Sequence, residues 1–123
     1  MWKGVIIEES LEDKNILGDV EIAHTNTTTL EEEDNRGNFH FHKVQVSDDK
    51  IEKVIEIAKS SLKKGWYMHF CKGNEMIVMF KGKIFKHKKG NKASLTKILE
   101  YGLSLGINKS QLPDDRLIGD PWA

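Results

Sequence analysis

Cysteine is nearly absent from this 123-residue chain. Cys71 stands alone, which excludes an internal disulfide and makes a reducing, cytoplasmic setting the simplest expectation. Proline is scarce too, with only Pro113 and Pro121, and no Pro-, Gly- or Ser-rich linker or internal repeat divides the sequence. One domain over residues 1–123 is therefore expected. Long apolar runs are missing. The longest strongly apolar stretch, Met76–Phe80, falls far below the roughly 20 residues a membrane helix needs, and Val5–Ile7 is too short for the apolar part of a signal peptide. Arginine occurs only at Arg36 and Arg116, away from the lysine-rich middle, which weakens any reading that depends on forked phosphate contacts. No glycine-rich phosphate loop, dinucleotide fingerprint, serine elbow, calcium-loop spacing or zinc signature is present.

Apolar residues make up 38% of the chain and charged ones 31%, enough of the first to build a core. The formal net charge of zero conceals a segregation. Residues 1–62 carry a net −7, residues 63–97 a net +9, and the remainder −2. The expectation is internal complementarity, with the acidic front half folded against the basic middle, rather than steering of a charged partner.

The most regular stretch runs from Gly65 to His87. Its apolar runs (Trp66–Cys71, Met76–Phe80, Lys83–His87) are separated by glycine-bearing turns, the pattern of an antiparallel meander. Before it, Ile51, Val54, Ile55, Ala58 and Leu62 recur at helical spacing, with Ser47-Asp48-Asp49 as capping candidates. After it, Leu95, Ile98, Leu99, Gly102 and Leu105 form a second stripe, which Asn91 or Ser94 is placed to cap and Gly106 to end. Gly102 on that stripe suggests close passage over a strand. Further upstream, Val5–Ile7, Asp19–Thr27 and Phe39–Val46 read as strands, the last with a bulge near Lys43, and one helical turn is expected after Ser10. Residues 30–38, with four consecutive acids, read as a loop. Asn108 is suited to cap a last short turn, with Leu117, Ile118 and Trp122 tying the tail to the body. The predicted fold is α+β in the order β-β-β-α-β-β-β-α: a mostly antiparallel sheet of five to six strands with two helices on one face.

Candidate chemistry is sparse. His40 and His42 share a strand face, as do Tyr67, His69 and Cys71. If those strands were neighbours, His40, His42, His69 and Cys71 would converge into a site for a transition metal such as zinc, or into a cysteine/histidine catalytic centre with Lys72 favouring thiolate. The plainer reading leaves the histidines half-exposed and Cys71 as a small buried hydrophobe. Glu8, Glu9 and Asp13, or the Asp114-Asp115-Arg116 tail, offer acid–base groups, but carboxylates are too common to weigh. Lys83, Lys86, Lys88, Lys89 and Lys92 form the clearest anion-binding candidate and would contact nucleic-acid phosphates. Alternating lysines also simply discourage edge-to-edge pairing of strands. No cofactor and no catalytic residue is predicted. The main expectation is a small soluble binding or interaction module, self-associating through the free sheet face as a homodimer. The metal or Cys/His site is the alternative, followed by nucleic-acid binding.

Trp66-Tyr67-Met68-His69-Phe70, the Met76–Phe80 and Lys83–Phe85 strands, and Tyr101–Ile107 resemble a group of small prokaryotic proteins of unknown function, archaeal members among them. The likeness runs from about Val44 to Leu112. It implies a stand-alone cytoplasmic protein and carries over no activity, ligand or site residue.

Overall fold

The computed structural model describes residues 1–28 and 39–122. Six antiparallel strands form one sheet: β1 (Trp2–Ile7), β2 (Glu21–Thr28), β3 (Phe39–Val46), β4 (Tyr67–Lys72), β5 (Glu75–Phe80) and β6 (Lys83–Lys88). Their spatial order is β2-β3-β1-β4-β5-β6. The first strand in sequence thus lies inside the sheet, joining a two-stranded unit to the three-stranded meander. Because β3 and β4 are both antiparallel to β1, they run parallel to each other with β1 between them. That geometry requires a crossover, and α1 (Ile51–Ser61) supplies it.

The α+β class and the antiparallel sheet are as expected. The helices, however, do not share one face. The stripe of α1 packs with Trp2, Ile6, Val44, Val46, Met68, Phe70, Ile77 and Met79. Ile98 of α2 (Lys92–Ser104) packs instead with Cys71, Met76, Val78 and Phe80, closed over by Ile107, Leu112 and Ile118. The strands explain the division: β5 runs Met76-Ile77-Val78-Met79-Phe80 without a polar break, and all five are buried. A strand apolar on both sides needs cover on both sides. Aromatic rings stack on the α2 side, where Phe80 lies 5.0 Å from Tyr101 and 5.8 Å from Phe85.

Local details follow side-chain chemistry. Asn91 caps α2 by accepting from the Ser94 amide, and Asn108 caps the 3₁₀ turn Lys109–Gln111 in the same way. The N-cap of α1 is Lys50, whose side chain makes no capping hydrogen bond, rather than the expected Asp49. The helical turn expected after Ser10 falls earlier, as a 3₁₀ turn over Glu8–Ser10, and a second covers Asn15–Gly18. The irregularity expected at Lys43 lies in its partner strand, where the register slips between Ile22 and His24. Gly102 does not cross a strand; a Cβ there would come within 2.3 Å of the Leu112 side chain, which packs on it. A short helix α3 (Arg116–Gly119) was not foreseen. Trp122 does tie the tail down, its indole N–H donating to the Val44 carbonyl at 3.2 Å.

The charge segregation is partly internal. Lys72 pairs with Asp48, Lys81 with Glu12 at 3.1 Å, and Lys86 approaches Glu52 at 3.9 Å. All three pairs join the basic middle to the acidic front half. They are largely exposed, so each adds little stability. Among the described residues no helix is long and apolar enough to cross a membrane.

Candidate metal centre

At the end of β1 the chain tightens into the Glu8–Ser10 turn. Buried Ser10 fixes that turn by donating its hydroxyl to the Ile7 carbonyl at 2.6 Å. Two backbone bonds then fasten it to the end of α1: Lys63 N to Ser10 O at 2.8 Å and Glu12 N to Ser61 O at 2.7 Å. Ile7 pairs with Phe41, so the turn lies directly beside the opening residues of β3. Two carboxylates on a fixed turn therefore meet two histidines on a strand.

Glu9 grips His40 twice, with Oε1 accepting from the backbone amide at 2.6 Å and Oε2 lying 2.8 Å from Nδ1. Glu8 Oε1 lies 3.2 Å from His42 Nε2, and the other nitrogen of that ring, Nδ1, is 2.8 Å from Thr25 Oγ1 on β2. Ligand atoms of Glu8, Glu9 and His40 all lie within 4.8 Å of one another. His42 is buried, whereas the side chains of Glu9 and His40 are 30% and 43% exposed. The group is thus anchored on one side and open to solvent on the other.

Both carboxyls are held below the usual glutamate range. For Glu8 the His42 hydrogen bond is the main cause, with burial opposing and Lys14 at 3.4 Å assisting. For Glu9 burial pushes upward, and the backbone and ring hydrogen bonds from His40 outweigh it. The two are therefore carboxylates at neutral pH, the form that binds cations.

The foreseen quartet does not converge. Ile6 pairs with His42 and Val5 with His69, so successive β1 residues send the two histidines to opposite faces. His69 is buried on the α2 side, where its Nε2–H donates to the Pro121 carbonyl at 2.8 Å. Burial lowers its pKa despite that bond. Cys71 is 2% exposed within the α2-side core, and burial pushes its thiol up to about 12, the opposite of an activated nucleophile. His40 belongs to the candidate cluster and His42 adjoins it through Glu8, whereas His69 and Cys71 lie elsewhere.

The candidate anion-binding lysines are also divided. Lys83 and Lys86 fall on opposite faces of edge strand β6, Lys88 shares the side of Lys86, Lys89 lies in the turn, and Lys92 opens α2. Glu52 and Glu75 lie beside Lys86 and Lys88 in the same cleft, so its charge is mixed. The acids Glu31–Asp34 lie outside the described residues.

No protein-family model, curated protein or solved structure matches the chain. The resemblance noted for residues 44–112 gains no support from these comparisons, so the chemistry rests on the geometry. Glu8 and Glu9 were passed over in the sequence because no spacing rule ties a turn near residue 9 to a strand that opens thirty residues later. The one available signal was the His40-x-His42 alternation, which presents two imidazoles on one face.

Proposed function

We propose that this protein binds a divalent transition metal at Glu8, Glu9 and His40, with His42 as the adjoining imidazole. The observation that carries the reading is the clustering of three ligand atoms from a fixed turn and a strand within 4.8 Å. Around a tetrahedral ion with bonds of about 2.0–2.2 Å, ligand atoms sit about 3.3–3.6 Å apart, so small side-chain rotations suffice to close the group on an ion. Carboxylate and imidazole donors without thiolate suit zinc, manganese, iron(II), cobalt or nickel rather than copper(I). Thr25 fits the supporting role: its Oγ1, 2.8 Å from His42 Nδ1, fixes the ring so that Nε2–H donates to Glu8 and holds that carboxylate in place beside the ion. The exposed side of the group leaves positions for water or an exchanging ligand, and an ion there would lock the Glu8–Ser10 turn to β3.

The test is metal content and native mass of tag-free protein, followed by zinc titration of the chelator-treated chain. The expected result is about one ion per chain, lost in Glu9→Gln and His40→Ala and retained in His69→Ala. At a hundredfold excess of zinc over Kd, stability should rise by about 2.7 kcal/mol. Protein that contains no metal and takes up none saturably overturns the reading; Glu8–His42 and Glu9–His40 would then be carboxylate–imidazole contacts that fasten the turn to β3. The native mass also tests self-association.

A further inference from the structure

On the α2 side of β6, far along the sheet from the Glu8–Glu9 turn, His87 is held between a hydroxyl and a carboxylate. Its ring is fully enclosed. Nδ1 lies 2.6 Å from Ser94 Oγ in the first turn of α2, and Nε2 lies 2.6 Å from Asp115 Oδ1 just before α3. The other Asp115 oxygen accepts from the Gly90 amide at 3.0 Å, which fixes the carboxylate plane. The His87 hydrogen bond, followed by that of Gly90, holds Asp115 below the usual aspartate range. The Asp115 carboxylate accepts the Nε2–H hydrogen bond, which turns the Nδ1 lone pair toward Ser94. That is the tautomer a general base requires.

Ser94 has a second acceptor, the Asn91 carbonyl at 3.1 Å, so its hydroxyl proton can point to either Asn91 or His87. The residue is half-buried rather than sealed. Together with His87 it lines a cleft of about 380 Å³ whose wall includes Trp2 and Met76 and whose rim carries Lys86 and Lys88. Beside Ser94, the amides of Lys92 and Ala93 open α2, where a helix has no internal acceptors for its N–H groups.

We propose that Ser94, His87 and Asp115 form a nucleophilic relay that hydrolyses activated carboxylic esters entering this cleft. Ser94 Oγ adds to the ester carbonyl carbon as its proton passes to His87 Nδ1, and Asp115 stabilises the resulting imidazolium through Nε2–H. The tetrahedral adduct collapses with cleavage of the carbon–oxygen bond to the alcohol, which leaves with the Nδ1 proton. Water then adds to the acyl-serine, giving its proton to Nδ1, and the Oγ–carbon bond breaks as Nδ1 passes that proton to Oγ, which returns Ser94 and releases the acid. Ester and water become acid and alcohol, with no metal or redox partner involved. The geometry departs from a buried structural staple in two respects: the hydroxyl borders a cleft, and it retains an alternative acceptor that releases it from the ring.

The test treats the full chain with a fluorophosphonate reagent, maps the adduct by mass spectrometry, and follows hydrolysis of p-nitrophenyl butyrate. The expected result is one adduct, on Ser94, with labelling and turnover at least ~100-fold faster than in Ser94→Ala or in urea-unfolded protein. Asp115→Asn should slow labelling at least ~10-fold while its circular dichroism stays native, because it removes the group that sets the tautomer. Should Ser94→Ala lose its fold, Ser94→Cys keeps a nucleophile of similar size; alkylation at position 94 should then outpace that of an unstructured thiol. No adduct on Ser94 in the folded protein, or equal labelling rates with and without Asp115, overturns the proposal and makes the trio a staple between β6, α2 and the tail. Neither outcome bears on the metal centre.

Discussion

Replacing Gly4 by alanine should destabilise the fold more than any other single-methyl addition at the glycines among the described residues. Gly4 is the middle residue of the three-pair ladder between β1 and β4, opposite Phe70, with Lys3–Cys71 and Val5–His69 on either side. Its backbone is not left-handed, so alanine costs nothing in conformation. The obstacle is contact: a Cβ would lie 2.1 Å from the His69 carbonyl oxygen and 2.7 Å from Cδ1 of the fully buried Phe70 ring. The oxygen belongs to the backbone of the neighbouring strand and cannot rotate away, so the strands must part. Overpacking of this kind costs about 1–3 kcal/mol, and weakening two ladder hydrogen bonds adds about 1 kcal/mol each. The sum, about 3–5 kcal/mol, is a large fraction of the ~6–18 kcal/mol expected for a domain of this length. With an unfolding entropy near 2.1 cal/mol/K per residue, each kcal/mol lowers Tm by about 4 °C, giving a fall of about 12–20 °C. Urea unfolding followed by tryptophan fluorescence gives the free energy, and Gly18→Ala, where the added methyl meets nothing within 4 Å, is the matched control. A Tm within 2 °C of the parent would refute the close approach of β1 to β4.

Two further outcomes separate the buried polar groups from the open ones. Burial lowers the His69 pKa below its model-peptide value of about 6.5, so the unfolded chain binds more protons below that pH. Stability from this source is complete above pH 6.5 and is lost as the pH falls toward the folded pKa. His69→Asn should flatten that leg of a stability–pH curve measured by urea unfolding, leaving the leg below about pH 4.5 that comes from Glu8, Glu9 and Asp115; an unchanged upper leg would place His69 in solvent. Cys71, with its thiol pushed up to about 12, should resist a chromogenic disulfide reagent until the protein unfolds, and immediate stoichiometric reaction of the folded chain would contradict its burial.

What the sequence made legible follows the range of each interaction. Helix stripes, the meander and the Asn91 and Asn108 caps depend on residues within a few positions of one another, and each lies close to its expected place. The division of the helices between two faces was also written locally, in the unbroken apolar run of β5, but a one-sided sheet was the simpler inference for an antiparallel meander. The candidate metal centre was half legible. His40 and His42 were chosen for their alternation, whereas Glu8 and Glu9 acquire meaning only through the β1–β3 pairing. His69 and Cys71 failed for the complementary reason: residues correctly assigned to strands were given the wrong neighbour, and β1 between β3 and β4 separates them from His40 and His42. His87, Ser94 and Asp115 left no trace because a cap candidate, a strand residue and a tail acid share no spacing.

The interior position of β1 bears on how the chain assembles. The meander closes through short turns, but residues 2–7 have no strand partner until β3 exists, and their second flank stays open until β4 has formed. The first of these six strands in chain order is therefore the one that waits longest for both neighbours, a non-local closure that slows folding. Glu8 and Glu9 follow directly on this strand, so the two carboxylates reach His40 only as β1 pairs with β3. A metal ion bound there would hold the central strand against β3, acting as a latch on that seam while the β4 flank is still open.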